Sequence, residues 1–221
     1  MHPPIPTDYQ WIERRERVVA ALQDNAVAST PALVAVMSTI YRQTPDALGH
    51  AQRVAAVATR IGSELRFSAR ELEHLEWASW LHDLGRFIFP DTNLADDVID
   101  DEAYEFSALR WSRQVDVAVE IIETLPVLKP AAVLVRASRE CLDGSGYPRG
   151  LRGGEIPLGA RVLHVADTFD ALSSVCASLG VGQDAVPAEL VRNSGSRFDP
   201  AVVAACLRAL DMPQHGAVQG I

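Results

Sequence analysis

Trp80-Leu81-His82-Asp83-Leu84-Gly85-Arg86 is the stretch whose reading decides the fold. Trp77, Trp80, Leu81 and Leu84 recur at three- and four-residue spacing, the period of one buried face of an α-helix. Gly85 predicts a stop or bend. At that end an imidazole and a carboxylate stand side by side, projecting about 100° apart, so both can converge on one ion. Burying His82 and an ionised Asp83 beside two tryptophans is costly unless a partner compensates, and a divalent cation is one such partner. Taken alone, the pair is better read as an exposed helix end capped by its own polar residues.

Working outward, helix follows helix. Ser68-Ala69-Arg70-Glu71 is a capping box that opens the helix carrying His82 and Asp83. Upstream, a long helix is predicted from Asp46 to Arg66, after Pro45, with Val54, Val57, Ile61 and Leu65 as its buried stripe and His50 one turn before Val54. Ser29-Thr30 and Pro31 predict a helix start running to near Tyr41. A polar helix from Asp8 to Asn25 reads as a linker or dimerising helix, or as an extra helix packed on the domain. Downstream, Asp91, Asp96, Asp97, Asp100, Asp101, Glu102 and Glu105 read as a solvated acidic loop with a helix start, without the spacing of a calcium loop. Helices follow over Tyr104 to Thr124 and Lys129 to Arg139. Asp143 to Gly150, continuing through Arg152, Gly153, Gly154 and Pro157, is a Gly-rich loop that exposes backbone amides. In the apolar helix from Leu158 to Cys176, Asp167 interrupts the buried run, with His164 and Asp170 three residues either side. The last helix runs from after Asp199-Pro200 to Leu210. No repeat and no alternating stretch argues for a sheet, so the class is all-α. The organisation read is an N-terminal extension over residues 1–30, a domain over 31–212 and a tail over 213–221.

Composition narrows the function. At 221 residues with 48% hydrophobic and 22% charged, the chain has enough apolar side chains for a real core. Cys141, Cys176 and Cys206 are odd in number and far apart, which fits neither a disulfide framework nor a Cys-based zinc site. Met1 to Asp8 holds no apolar signal core, and no apolar run spans a bilayer, so the cytoplasm is the expectation. A net charge of −9 argues against binding a nucleic-acid polymer. It permits a small phosphate ligand, because a few arginines or a metal reverse the field inside one cleft.

Three separate helices thus offer His50, His82-Asp83 and Asp167 from apolar surroundings. Two imidazoles and two carboxylates suit Mn²⁺, Fe²⁺, Ni²⁺ or Zn²⁺. His164 is better read as a hydrogen-bonded core residue, and Asp46 as a helix cap.

His50 in Gly-His-Ala-Gln-Arg-Val-Ala, Leu-His82-Asp83-Leu-Gly-Arg86, Asp143-Gly-Ser-Gly146-Tyr147-Pro148-Arg149-Gly-Leu, Glu155-Ile-Pro-Leu-Gly-Ala-Arg161, Val-Ala-Asp167-Thr-Phe-Asp170-Ala-Leu and Phe198-Asp199-Pro200 occur in that order. Together they resemble the HD-GYP family, metal-dependent phosphohydrolases of the HD superfamily, over about Pro31 to Leu210. The resemblance implies a helical bundle with a Gly-Tyr-Pro loop insertion that binds cyclic di-GMP and hydrolyses it. It places Gly146, Tyr147 and Pro148 on the ligand-recognition side, and we count Arg149 and Arg139 with them as substrate-binding.

The departures from the family pattern are concentrated. Gln114 stands where a histidine is usual, and Ser138-Arg139 where a His-His pair is usual. Arg86 replaces a lysine, Ala95-Asp96-Asp97 occupies the place of Lys-Pro-Gly, and the Asp-Arg-Pro-Tyr-Arg segment after Asp170-Ala-Leu is missing. In the family, the counterparts of His50, His82, Asp83 and Asp167 hold one metal, and those of Gln114, Ser138 and Arg139 a second. The expectation is therefore one divalent metal, Asp83 and Arg86 as catalytic residues, and Arg139 supplying charge where the second ion was. Three functions follow: a weak or altered phosphohydrolase on cyclic di-GMP, a non-catalytic module binding cyclic di-GMP or a protein, or a mononuclear phosphohydrolase on another nucleotide. A protein partner supplying sensory input and a homodimer through the N-terminal helix are the expected assemblies.

Overall fold

Ser68 opens its helix as the capping box requires: its hydroxyl accepts the backbone N–H of Glu71 at 3.3 Å, and the Glu71 carboxylate accepts the Ser68 N–H at 2.8 Å. In the computed structural model, which describes residues 10–25, 27–88, 101–180, 182 and 184–212, this is the fourth of ten α-helices in an all-α fold. They are α1 (Gln10–Asp24), α2 (Thr30–Ile40), α3 (Pro45–Glu64), α4 (Ala69–Leu81), α5 (Leu84–Ile88), α6 (Asp101–Glu123), α7 (Lys129–Arg136), α8 (Leu158–Leu179), α9 (Ala185–Arg192) and α10 (Pro200–Ala209). Among the described residues the only extended pairing is an isolated bridge between Ser194 and Phe198. No described helix is long and apolar enough to cross a membrane. Most of the acidic stretch, with Asp91, Asp96, Asp97 and Asp100, and the tail over 213–221 lie outside the described residues, as do Met1 to Tyr9.

α3 is the central helix, packed against α4, α8 and α10. Val54 and Ile61 are fully buried along it and Val57 nearly so, as the stripe predicts, whereas Leu65 stands just past the helix end and is half-buried. α4 joins the same core through Leu75, Trp77, Ala78, Trp80 and Leu81. α6 lies across α5 and α7, and α7 packs on α4. α1 contacts α2, α5 and α6, burying Val18 and Leu22.

Several local details differ from the sequence reading. Ser29 stands at the start of α2 but makes no capping hydrogen bond, and Thr30 instead accepts the indole N–H of Trp77 at 2.8 Å. α4 stops before Gly85, at Leu81, so His82 and Asp83 form a short break between α4 and α5. Gly85 lies inside α5, where a Cβ would stand 1.8 Å from the Gln114 carbonyl oxygen. Its role is to let α5 and α6 touch backbone to backbone. α7 ends at Arg136, which leaves Ser138 and Arg139 on the turn that follows. α8 extends three residues beyond Cys176 and closes on Gly180 in the left-handed conformation (φ 65°). The short α5 and α9 have no counterpart in the periodicity reading.

Candidate metal centre

α3, the α4–α5 break and α8 each deliver polar side chains into one apolar interior. His82 is 6% exposed, and its Nδ1 lies 2.8 Å from the Ser79 carbonyl oxygen one turn back. A carbonyl only accepts, so Nδ1 donates and Nε2 carries the lone pair. His50 likewise commits its Nδ1, which lies 2.7 Å from Asp170 Oδ2. Asp170 also accepts from Arg53 Nε at 2.6 Å and Nη2 at 3.0 Å.

The two Nε2 atoms face each other at 3.2 Å. Asp167 Oδ1 lies 3.2 Å from His50 Nε2 and 3.5 Å from His82 Nε2. Asp83 closes the group, with Oδ2 3.6 Å from His50 Nε2 and Oδ1 3.6 Å from His82 Nε2. With metal–ligand bonds of about 2.0–2.2 Å, neighbouring ligands stand about 3.0–3.6 Å apart, so the residues present fit a divalent cation. His50, His82 and Asp83 each place a ligand atom within 4.8 Å of the others, which makes them a possible metal site.

Arg139 forms one wall. Its Nη1 donates to Asp167 Oδ2, and its Nη2 stands 3.4 Å from Asp83 Oδ1. Burial opposes ionisation of both carboxylates, but His82 and Arg139 together keep Asp83 below the usual carboxylate range. The Arg139 guanidinium and a hydrogen bond from His50 hold Asp167 well below it. Burial acts to lower the pKa of His50, yet hydrogen bonds to Asp167 and Asp170 and the charges nearby push it up to about 9.

Arg86 is peripheral: its Nη1 is 4.0 Å from Asp83 Oδ2 and its side chain is 60% exposed, so water screens the pair. The Gly-Tyr-Pro loop folds back on Arg139, whose carbonyl accepts the Tyr147 N–H at 3.2 Å. A Cβ on Gly146 would stand 2.2 Å from the Cys141 nitrogen, so the close return requires glycine. The Tyr147–Pro148 bond is cis. Burial pushes the Tyr147 phenol up to about 12, against the pull of Arg139. Arg149 is exposed, but its N–H is tied down by Glu140 at 2.8 Å. Ser138 is buried and donates to the Val135 carbonyl, and Gln114 presents its backbone carbonyl to Gly85.

His164 is the core residue expected. It is 3% exposed, its Nδ1 donates to the Glu140 carbonyl at 3.0 Å, and its ring packs edge-on to Phe198. Burial and the charges of Arg197 and Arg139 hold its pKa down at about 3. Asp46 is exposed in the first turn of α3.

Three residues escaped the sequence reading as parts of the site. Asp170 was legible only as a carboxylate one turn beyond Asp167, Arg53 only as one turn beyond His50. Glu140, 2% exposed, accepts the N–H groups of Arg149 and Leu151 at 2.8 and 2.9 Å and so pins the loop. No periodicity marks a turn residue that points inward.

The family model described as HD domain matches residues 35–202. The chain is 33% identical over 173 residues to 3'3'-cGAMP-specific phosphodiesterase 3 of Vibrio cholerae serotype O1, covering 77% of this chain and 36% of that protein. It is 34% identical over 162 residues to the cyclic di-GMP phosphodiesterase response regulator RpfG of Xanthomonas campestris pv. campestris, covering 71% of this chain and 42% of that one. The chain thus spans less than half the length of these relatives. Among solved structures, Bd1817, a HDG"Y"P protein from Bdellovibrio bacteriovorus, superposes with a TM-score of 0.59 at 14% identity, covering 95% of this chain and 75% of that one. At that identity the likeness speaks for the fold.

Proposed function

The chain belongs to the HD domain family, in its HD-GYP branch, and on that premise we propose that it is a one-metal phosphodiesterase for a cyclic dinucleotide, cyclic di-GMP or 3'3'-cGAMP. The observation that supports this reading is the convergence of His50, His82, Asp83 and Asp167 with one arginine forked across both carboxylates.

In this reading His50, His82, Asp83 and Asp167 hold Mn²⁺, Fe²⁺, Ni²⁺ or Zn²⁺. A divalent cation supplies positive charge to a phosphoryl oxygen and makes water a better nucleophile at neutral pH. Asp83 stays ionised and offers a carboxylate oxygen to a proton leaving the attacking water. Arg139, held permanently charged by Asp167 and Asp83, supplies a second fixed positive charge and N–H donors for a phosphate oxygen. The Gly-Tyr-Pro loop, pinned by Glu140 through the Arg149 N–H, returns to Arg139, whose carbonyl accepts the Tyr147 N–H. Arg86 adds a solvated charge at the rim. A signalling partner that supplies input fits the same reading, since one relative is itself a response regulator.

Arg139 also favours a second reading, a module that binds the cyclic dinucleotide without turning it over. Its contacts make Asp83 and Asp167 weaker bases, which slows any proton transfer they mediate.

Metal analysis of purified protein, combined with turnover of cyclic di-GMP and 3'3'-cGAMP under added Mn²⁺ or Fe²⁺, tests both. One cation per chain and turnover lost on Asp83→Ala support the enzyme. Tight binding without product supports the module, and two cations per chain at full occupancy overturn the one-metal site.

A further inference from the structure

Arg53 never touches the centre of the site, yet it holds one corner of it. It follows His50 by three residues on α3, and its guanidinium grips Asp170 on α8 with two donors, Nε at 2.6 Å and Nη2 at 3.0 Å. This two-pronged match is geometrically specific in a way that a lysine ammonium is not. The Asp170 oxygen that accepts from Nη2 also accepts from His50 Nδ1 at 2.7 Å. The Asp170 side chain is only 5% exposed, whereas that of Arg53 is 55% exposed. A buried carboxylate is therefore compensated from the protein surface. Gly49 makes room for the grip: a Cβ there would stand 3.0 Å from Arg53 Nη1.

We propose that Arg53 is a positioning residue: by clamping Asp170 it fixes the plane of the His50 ring with the proton on Nδ1, and so sets the divalent-cation affinity of Nε2. The inference rests on the metal-centre reading above. Its physical basis is that a carboxylate free to turn about its own bond holds a ring only as well as it is itself held. A carboxylate that holds a ligating histidine is worth about 10–100-fold in metal affinity, and Arg53 acts through one.

The test compares the full chain with Arg53→Gln and Arg53→Lys, titrating Mn²⁺ by calorimetry. It also records the ring nitrogens of His50 by ¹⁵N NMR in the Zn²⁺-loaded protein. Arg53→Gln is expected to bind Mn²⁺ about tenfold more weakly, the lower end of the range for losing the carboxylate itself, and to lose the sharp Nδ1–H signal of His50. Arg53→Lys keeps the charge without the fork and is expected to recover only part of both. If Arg53→Gln binds Mn²⁺ within about twofold of the parent and keeps the Nδ1–H signal, the inference is overturned, even if its thermal midpoint falls. If the parent protein itself binds no Mn²⁺ and no Zn²⁺, the metal-centre reading fails and takes this inference with it. The two failures are distinguishable because only the second appears in the unmutated chain.

Discussion

The Nε2 atoms of His50 and His82 stand 3.2 Å apart, and each ring has already committed its Nδ1, one to Asp170 and one to the Ser79 carbonyl. Two nitrogen lone pairs do not share so short a gap without a positive charge between them. Asp167 Oδ1, within 3.5 Å of both, adds negative charge to the same point. The centre is built to hold either a proton or a cation, and the two compete.

That competition has a sign. Burial disfavours the imidazolium, but Asp167 and Asp170 push His50 up to about 9, so at neutral pH an incoming cation must expel a proton from Nε2. Apparent Mn²⁺ affinity is expected to rise about tenfold per pH unit from pH 7 toward pH 9 and then to level off. Calorimetry in two buffers of different ionisation enthalpy should show about one proton released at pH 7. An affinity that is flat between pH 7 and 8.5 contradicts this account.

Arg139 determines what happens when no cation is bound. It contacts both Asp83 and Asp167, and its removal leaves a half-buried and a buried carboxylate facing each other with less compensation. Arg139→Ala, measured by urea unfolding at pH 7 in a chelator, is expected to lose about 2–4 kcal/mol. Added Mn²⁺ should restore a good part of that loss, because a cation at the centre compensates the same two charges. A loss below about 0.5 kcal/mol would show that water already screens the arginine.

Much of this arrangement was legible because it follows simple periods. The stripe of α3, the Ser68–Glu71 capping box and the buried break in polarity at Asp167 are local patterns, and each recurs in the structure. The four residues of the centre were legible singly, as polar groups placed on apolar faces. Their convergence needed the resemblance, since packing three helices together is not written in any one of them. What stayed hidden was tertiary. Glu140 sits in a turn, where no period marks an inward side chain, and Gly85 read as a helix stop although its function is contact with α6. α9 stayed hidden because Pro187 lies among its eight residues, and so short a helix shows only about two turns of period.

The contact at Gly85 gives a prediction of its own. A Cβ there would overlap the Gln114 carbonyl oxygen at 1.8 Å, with the Gln114 carbonyl carbon and Cα also inside 3 Å. Backbone cannot swing aside as a flexible side chain can, so Gly85→Ala must push α5 away from α6. Asp83 is two residues upstream and would move with α5. We expect about 3 kcal/mol or more of lost stability together with weakened Mn²⁺ binding. Gly154→Ala, where a Cβ meets nothing, should change neither and serves as the control.

His164 gives stability a pH dependence that is separable from the metal. Burial and the charges of Arg197 and Arg139 hold its folded pKa at about 3, far below the usual 6.5. Above pH 6.5 the ring is neutral in the folded and unfolded chains alike, and it contributes no slope. As pH falls from 6.5 toward 3, the unfolded chain takes up a proton that the folded chain refuses, so stability is lost across that window. The slope is about 1.4 kcal/mol per pH unit at its steepest. His164→Asn keeps an N–H for the Glu140 carbonyl but carries no titrating ring. At pH 7 the parent protein is expected to be the more stable, by about 1 kcal/mol for the lost packing against Phe198. Between pH 7 and pH 5 that advantage should shrink by about 2 kcal/mol, so the variant overtakes the parent. Urea unfolding at both pH values in a chelator checks it, and a constant difference between the two proteins would show that His164 takes a proton in the folded state.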